Sequence, residues 1–330
     1  MASLVNVTLA QTWTFCNPMN VTCPPNPALG INNATWDFVN GTLDANIWNT
    51  TSGKTSRISN GRSFQINKRH DSPTIQSNFY IMWGQVSVVM RAATGQGIVS
   101  SVVLQSDDLD EVDWEWIGGN NTHVQTNYFG KGNTTSYDRA FWHPVSNPQQ
   151  EFHNYSVLWT AEKLDWFIDG ALIRTLNYGD ALQGRNYPQT PMNVRLGIWA
   201  GGDKDNNKYT IEWSGGLTDF DKGPYTMIVQ SMEVADFSTG SEYVWTDKSG
   251  SFQSIKAVRY VQWPPKPPGP PPPPSLHPCS FPHTKPVTVV PPSMQRSSSN
   301  LTVQSKNSWP SLRPRKLVSV LAQQVLLLSS

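Results

Sequence analysis

Apolar and polar residues alternate along short stretches of the chain, and these stretches recur about every 10 to 15 residues. Their β-branched and aromatic side chains are typical of strands, and clusters of Gly, Asn and Asp separate them. The predicted strands are residues 85–91, 98–104, 111–117, 123–129, 155–160, 164–168, 171–174, 192–199 and 227–234. Between two of them, the pair Asp169-Gly170 predicts a hairpin with a type I′ turn. No helical period exceeds two turns, so the pattern predicts an all-β fold built as a two-sheet β-sandwich.

The composition of the chain changes abruptly after Trp263. Residues 13–263 are predicted to form one β-sandwich domain, large enough to bury a stable core. Residues 264–330 begin with a Pro-rich run that includes five consecutive prolines at 270–274, and they are predicted to be a polyproline linker followed by a disordered tail. Residues 1–12 lack the basic start and long apolar core of a signal peptide, so we interpret them as an N-terminal segment, either the remnant of a leader or a start for another export route.

The charge balance indicates an uncharged partner. The chain has 330 residues, a formal net charge of +1 and 15% charged residues, without the basic excess of a nucleic-acid binder. Aromatic residues make up 11% of it and include 14 tryptophans, whose indoles stack on sugar rings as readily as they fill cores. A polysaccharide partner fits this balance, and we expect neither a cofactor nor a metal.

Sequons and cysteines indicate a secreted glycoprotein. Nine Asn-x-Ser/Thr sequons occur, a density without use in the cytosol; the glycosylation candidates are Asn33, Asn40, Asn49, Asn133 and Asn154. Cys16 and Cys23 suggest one short disulfide loop, which leaves Cys279 as a single thiol. No stretch reaches the roughly 20 apolar residues of a membrane span. The short apolar tail at 317–328 is a weak match to a cleaved lipid-anchor signal.

Three carboxylates occupy alternate positions of one predicted strand. Glu111, Asp113 and Glu115 therefore share one face, although like charges side by side oppose folding. Cleavage of a glycosidic bond needs two carboxyl groups, and retaining enzymes hold them about 5 to 5.5 Å apart. The Cα atoms of Glu111 and Glu115 would lie about 13 Å apart on an extended strand. We therefore expect the side chains to lean together across a curved, concave sheet that forms the substrate cleft.

Mutual repulsion predicts that the three carboxyls share a proton. In the useful distribution the proton rests on Glu115, which donates it to the leaving oxygen, while ionised Glu111 attacks the anomeric carbon and Asp113 hydrogen-bonds Glu111. The other face, Val112, Trp114 and Trp116, is expected to pack between the sheets. Two alternatives fit less well. A calcium site would need the loop pattern of such sites, and a solvated edge strand would not carry so apolar a second face.

The segment Asp110-Glu111-Val112-Asp113-Trp114-Glu115-Trp116 resembles the Glu-x-Asp-x-Glu signature of glycoside hydrolase family 16, whose members share a concanavalin-like β-jelly roll. Further stretches resemble the fungal Crh-type cell-wall transglycosylases, which join chitin to β-glucan. These stretches are Cys16-Asn17-Pro18, Cys23-Pro24, Pro27-Ala28-Leu29-Gly30, Gly118-Gly119-Asn120, Val124 to Gly132, Trp199-Ala200-Gly201-Gly202, Thr210-Ile211-Glu212-Trp213 and Gly223-Pro224. The resemblance covers residues 13–243 and implies Glu111 as nucleophile, Asp113 as its assistant and Glu115 as acid and base.

The resemblance also suggests substrate-binding residues. They are Gln125, Asn127, Tyr128, Arg139, Trp199 and Trp213. Strand alternation points Gln125 and Asn127 to one face, where their amides could reach sugar hydroxyls, and the two tryptophans resemble the aromatic floor of the donor side. The amides could instead be ordinary polar strand residues and the tryptophans could belong to the core. Arg139 could bond a sugar hydroxyl or simply pair with Asp138.

The implied function is that of a retaining transglycosylase, which cleaves a chitin-type β-1,4 donor through a covalent glycosyl-enzyme and transfers it to a β-glucan or chitin acceptor in the fungal cell wall. A plain endo-hydrolase of chitin or β-glucan is one alternative. A non-catalytic polysaccharide-binding module is the second, which an intact carboxyl trio argues against. We expect a secreted monomer of the cell wall, with wall or lipid anchoring left open.

Overall fold

Strands make up nearly all the regular structure of this protein. The structure, a computed structural model, describes residues 13–30, 33–136 and 138–259. The strands within these ranges are β1 Asn26–Pro27, β2 Ala34–Asp37, β3 Trp48–Ser52, β4 Thr55–Ile58, β5 Gly61–Ile66, β6 Thr74–Ser77, β7 Gly84–Arg91, β8 Ile98–Ser106, β9 Glu111–Ile117, β10 His123–Phe129, β11 Phe141–Pro144, β12 His153–Trp159, β13 Lys163–Ile168, β14 Ala171–Asn177, β15 Met192–Ala200, β16 Tyr225–Asp236, β17 Gly240–Trp245 and β18 Ile255–Arg259. One short helix, α1, spans Lys208–Trp213, and 3₁₀ turns lie at Tyr178–Asp180, Phe220–Lys222 and Phe252–Ser254.

Two large antiparallel sheets confirm the predicted sandwich. The seven-stranded sheet has the order β11-β10-β9-β8-β15-β6-β3. The eight-stranded sheet runs β14-β13-β12-β7-β16-β5-β4, with β2 added beside β16. A third, three-stranded sheet consists of β1, β17 and β18. The long strands pair antiparallel. Consecutive strands from β8 to β11 are therefore neighbours in the sheet, each joined to the next by a loop at the same end of the pair.

All nine predicted strands are present, most with bounds shifted by one to three residues. The predicted hairpin turn is confirmed, since Asp169 and Gly170 both have positive φ, at 50° and 80°, as a type I′ turn requires. The strands β1 to β6, β11, β17 and β18 and the helix α1 were not predicted, because these mostly short segments show weak periodicity. The predicted N-terminal segment 1–12 and the predicted linker and tail 264–330, with Cys279, lie outside the described residues.

The main core fills the space between the two large sheets. Trp114 and Trp116 of β9 project into it, each 1% exposed. Their rings stack with centroids 6.2 Å apart, and Trp116 meets Tyr155 of the opposite sheet edge-on at 4.6 Å. Burying such side chains contributes on the order of 2 to 3 kcal/mol each. This packing holds β9 firmly against the second sheet, so the position of its other face is rigidly set.

The predicted disulfide is present between Cys16 and Cys23. The disulfide loop follows Trp13, the first described residue, which is bound to the outer face of the seven-stranded sheet. The Trp13 amide donates to Gln105 Oε1 at 3.2 Å, and Arg195 Nη2 donates to the Trp13 carbonyl oxygen at 3.1 Å. The disulfide loop is thereby tied to this face.

The glycosylation candidates differ in their surroundings. Asn33, Asn40 and Asn49 are exposed, whereas Asn133 and Asn154 are half-buried. The side-chain nitrogen of Asn133 donates to Asn186 Oδ1 at 2.9 Å, so a glycan on this nitrogen would have to fit beside an existing hydrogen bond. Occupancy of these sequons stays a prediction. Across the described part of the chain, none of the helices is both long and apolar enough to cross a membrane.

Candidate active site

Strand β9 presents its three carboxyls on the outer face of the seven-stranded sheet. Glu111, Asp113 and Glu115 are 8%, 2% and 6% exposed. The intervening Val112, together with Trp114 and Trp116, belongs to the core between the sheets. The two-residue period of a strand therefore separates charged from apolar side chains as predicted.

Strand register shows which side chains surround each carboxyl, because directly paired residues of adjacent strands share a face. Asp113 pairs with Asn127 of β10 and with Val103 of β8. Glu115 pairs with Gln125 of β10 and with Ser101 of β8. Both predicted amides, each 2% exposed, are thus brought beside the carboxyls.

Tyr128 lies on the opposite face of β10. It pairs with Val112 and belongs to the hydrophobic core. This corrects the prediction that Tyr128 contacts substrate: alternation that brings Gln125 and Asn127 to the outer face necessarily turns Tyr128 inward.

Arg139 lies between β10 and β11, outside the paired strand positions that hold Gln125 and Asn127. It is 6% exposed, and its Nη2 donates to the carbonyl oxygens of Asn133 and Ser136 at 2.6 and 2.7 Å. Its guanidinium lies 4.7 Å from the ring centre of Phe129 and 5.8 Å from that of Tyr128. Its positive charge lowers the pKa of Asp113.

Trp199 and Trp213 form a small separate cluster with Val99 and Ile117. Val99 and Ile117 pair with each other and lie on the outer face, two residues from Ser101 and Glu115. The two indoles stack with centroids 6.1 Å apart, and Trp213 Nε1 donates to Gln125 Oε1 at 3.3 Å. The two tryptophans therefore lie next to Glu115. Trp199 is 9% exposed and Trp213 is 7% exposed.

Burial and mutual repulsion raise the pKa of all three carboxyls. The pKa of Glu111 lies well above its usual value because of burial, then the charge and hydrogen bond of Asp113, then the charge of Glu115; Arg195 opposes this. Burial raises the pKa of Asp113 to about 7, against a hydrogen bond from Glu111 and the charges of Arg139 and Arg174. Burial and then the charge of Asp113 raise the pKa of Glu115 well above its usual value. At neutral pH the trio therefore retains protons.

Cations and donors are distributed unevenly along the trio. Glu111 Oε2 accepts from Gln105 Nε2 at 3.3 Å, and Arg195 favours the ionised form of Glu111. Only burial and the charge of Asp113 act on the pKa of Glu115, and both favour its proton. Arg195 and Gln105 therefore stand on the Glu111 side of the trio, where the charge of Arg195 partly offsets the burial and like charge that raise the pKa of Glu111. The distribution with Glu111 ionised and Glu115 protonated stays a prediction.

Both oxygens of Asp113 and the Oε2 of Glu115 are buried, and none of them accepts a hydrogen bond from an N–H or hydroxyl group of the described residues. Two carboxylates cannot hydrogen-bond each other, so a bond between Asp113 and Glu111 forms only when one of them holds a proton. Unpaired buried oxygens are costly to folding. Such oxygens are expected where a carboxyl accepts a hydrogen bond only from a shared proton or from a substrate hydroxyl.

Three residues near the carboxyls, Gln105, Arg195 and Trp13, were not predicted as site residues from the sequence. Gln105 pairs with Glu111 across β8 and β9, and Arg195 pairs with Val103, itself the partner of Asp113. Arg195 could partly have been predicted, because it lies four residues before Trp199 on the same strand and therefore on the same face. Which strands neighbour β9 was not readable from the sequence.

Arg174 joins the two sheets behind the carboxyl strand. Its Nη1 donates to the carbonyl oxygen and Oγ1 of Thr126, at 2.9 and 2.8 Å, and its Nη2 to the Arg139 carbonyl at 2.7 Å. It faces the rings of Trp166 and Phe141 at 4.5 and 4.7 Å. Both arginines line a cavity of about 550 Å³ between β11 and β14. This cavity is on the inner side of β10, opposite the carboxyls.

This chain is similar in sequence to a known enzyme family and to known proteins. The profile of glycosyl hydrolases family 16 matches residues 43–215. Crh-like protein 2 of Botryotinia fuckeliana (strain B05.10) is 61% identical over 251 residues, 76% of this chain and 55% of that protein. Crh-like protein 3 of Aspergillus fumigatus (strain Af293) is 56% identical over 259 residues, 78% of this chain and 70% of that protein.

The chain belongs to glycosyl hydrolases family 16. Among solved structures it is similar to a Crh5 transglycosylase in complex with NAG, with a TM-score of 0.71, 52% identity, and coverage of 73% of this chain and 99% of that one. A Bacillus licheniformis β-glucanase, 21% identical with a TM-score of 0.52 over 62% of this chain and 98% of that one, shares the fold. The family 16 jelly roll is therefore confirmed, and the chain is an enzyme of the glycoside hydrolase and transglycosylase type. It spans 55% of the length of the first relative and 70% of the second.

Proposed function

We propose that this family 16 chain is a retaining transglycosylase of the fungal cell wall, with a chitin-type β-1,4 donor and a β-glucan or chitin acceptor. The observation that carries the proposal is the carboxyl trio on the outer face of β9, with Arg195 and Gln105 at Glu111 and only like charge at Glu115. The similarity to a Crh5 transglycosylase whose structure contains NAG supports transfer and a donor of this chemistry.

In the first step, the Glu111 carboxylate attacks the anomeric carbon of the donor. The bond between that carbon and the glycosidic oxygen breaks, and Glu115 gives its proton to the leaving oxygen. Asp113 holds a proton, donates a hydrogen bond to the Glu111 carboxylate and keeps that proton through this step. The product is a covalent glycosyl-enzyme.

In the second step, Glu115 is a carboxylate and takes the proton of an acceptor hydroxyl. The acceptor oxygen attacks the anomeric carbon, and the bond to Glu111 breaks. A sugar acceptor yields transfer and water yields hydrolysis. Gln125 and Asn127 flank the carboxyls and bind sugar hydroxyls in this proposal, and Trp199 with Trp213 walls the site beside Glu115. Arg139 acts through its charge on Asp113.

The test is incubation with chitin oligomers and a fluorescent β-glucan oligomer. Transfer predicts fluorescent products longer than the labelled acceptor, whereas a plain endo-hydrolase yields only shortened chitin oligomers. Glu111→Gln should abolish turnover and leave oligosaccharide binding nearly unchanged. Glu233→Gln is the matched control, because Glu233 is an exposed glutamate of β16 in the other sheet. Normal turnover of Glu111→Gln would exclude Glu111 as the nucleophile.

We further propose a secreted, monomeric cell-wall protein that carries glycans on some of its sequons and is held by the wall or by a lipid. The resemblance to Crh-like proteins and the exposed Asn33, Asn40 and Asn49 support this. Endoglycosidase treatment of the protein from a fungal culture should lower its apparent mass. An unchanged mass would contradict the proposed glycosylation.

A further inference from the structure

The edge strand of the carboxyl-bearing sheet carries two exposed aromatic residues. This strand is β11, which pairs with β10. Phe141 is 55% exposed and Trp142 is 39% exposed. Large apolar side chains on an exposed edge favour aggregation and contribute little to folding. A role in binding would explain why an exposed edge strand carries a large aromatic side chain.

The register places these neighbours on opposite faces of the sheet. Phe141 pairs with Thr126, which pairs with the core residue Trp114. Phe141 therefore lies on the inner side, where its ring is 4.7 Å from the Arg174 guanidinium. Trp142 pairs with Gln125, which pairs with Glu115. Trp142 thus lies on the outer face, in the same row as the acid and base.

The distance from Glu115 fits a neighbouring sugar position. Two strand spacings separate β11 from β9, so Trp142 lies about 10 Å from the backbone of Glu115. In the proposed mechanism Glu115 protonates the glycosidic oxygen, which leaves with the leaving group. Trp142 is aligned across the strands with Glu115 and not with Glu111. Trp199 and Trp213 pack on Val99 and Ile117, which lie two residues from the row of Ser101 and Glu115. The row from Glu115 through Gln125 toward β11 ends at Trp142, whose side chain is partly exposed.

We propose that Trp142 is a specificity-determining residue that stacks on a sugar ring of the acceptor, on the leaving-group side of Glu115. The inference rests on the proposed function, because that function assigns the acid and base to Glu115. An indole offers the flat apolar surface that packs on the axial C–H face of a pyranose ring. A bound acceptor competes with water for the glycosyl-enzyme because its effective concentration at the anomeric carbon is higher. Trp142 thereby favours transfer over hydrolysis.

The experiment compares Trp142→Ala with Phe141→Ala, the adjacent exposed aromatic on the other face. Trp142→Ala should raise the KM for a β-glucan acceptor about three- to tenfold and raise the ratio of hydrolysed to transferred product. The KM for the chitin donor should stay within twofold. Phe141→Ala should leave both KM values unchanged, and Trp142→Phe should restore part of the acceptor affinity. A change in the donor KM alone, or equal losses in the two alanine variants, would overturn the proposal.

A binding measurement separates this inference from the proposed function. In the Glu111→Gln background, titration with the fluorescent β-glucan oligomer reports acceptor affinity without any turnover. Trp142→Ala added to that background should weaken binding about three- to tenfold, and unchanged affinity would refute the stacking role. If the wild type only hydrolyses chitin oligomers, transfer fails as a function, yet this titration still decides whether Trp142 binds sugar.

Discussion

Replacing Asp113 by Asn should stabilise the protein at neutral pH while lowering its activity. Asp113 is 2% exposed, and burial raises its pKa from 3.8 to about 7. An acid with a raised pKa in the folded state binds more protons when folded than when unfolded. Stability is therefore lost as pH rises from about 4 to about 7, and above that it is constant. With about 1.4 kcal/mol per pKa unit, the ionised folded state is disfavoured by about 4 kcal/mol.

Asparagine keeps the shape of the side chain and removes this charge. It also removes the like charge that raises the pKa of Glu111 and Glu115. Its amide N–H can donate to the Glu111 carboxylate. We therefore expect the free energy of unfolding to rise by about 2 to 4 kcal/mol at pH 8, which corresponds to about 5 to 15 °C in Tm, with a gain near zero at pH 4.

Urea denaturation at pH 4, 5.5, 7 and 8 measures this difference. Asp165→Asn is the control, since Asp165 is equally buried but binds Lys163 Nζ at 2.7 Å and accepts from Thr175 Oγ1 at 2.6 Å. Loss of that ion pair should destabilise the control variant. A stability gain of Asp113→Asn that does not grow between pH 4 and 8, or a loss at pH 8, would refute the reasoning.

Two further predictions concern the support of the carboxyl strand. Arg174→Met removes a charge that lowers the pKa of Asp113. That pKa should rise, so the basic limb of the kcat/KM profile, where Asp113 loses the proton that it holds in the mechanism, should shift to higher pH. Arg174→Lys retains the charge and should shift this limb less, and identical profiles for the two variants would contradict the electrostatic role. Trp114→Ala removes a core side chain that is 1% exposed directly behind the carboxyls, and should lower the free energy of unfolding in urea by about 3 to 5 kcal/mol; a loss below about 1 kcal/mol would show that β9 is not anchored by this ring.

The sequence by itself determined the fold class and the division of β9 into two faces. A strand turns alternate side chains to opposite sides whatever surrounds it, so Glu111, Asp113 and Glu115 had to share a face once the segment was extended. The same rule predicted that Gln125 and Asn127 lie on one face of their strand. Applied strictly, it also excludes Tyr128 from that face, as the structure shows.

Only the tertiary structure decided what stands beside the carboxyls. Gln105 and Arg195 reach Glu111 because β8 pairs with both β9 and β15, although some 80 residues separate β9 from β15 in the chain. Trp142 enters the row of Glu115 only through the register of an edge strand with four residues. Pairing between distant strands depends on the packing of the whole sandwich, and a local pattern of residues does not encode it.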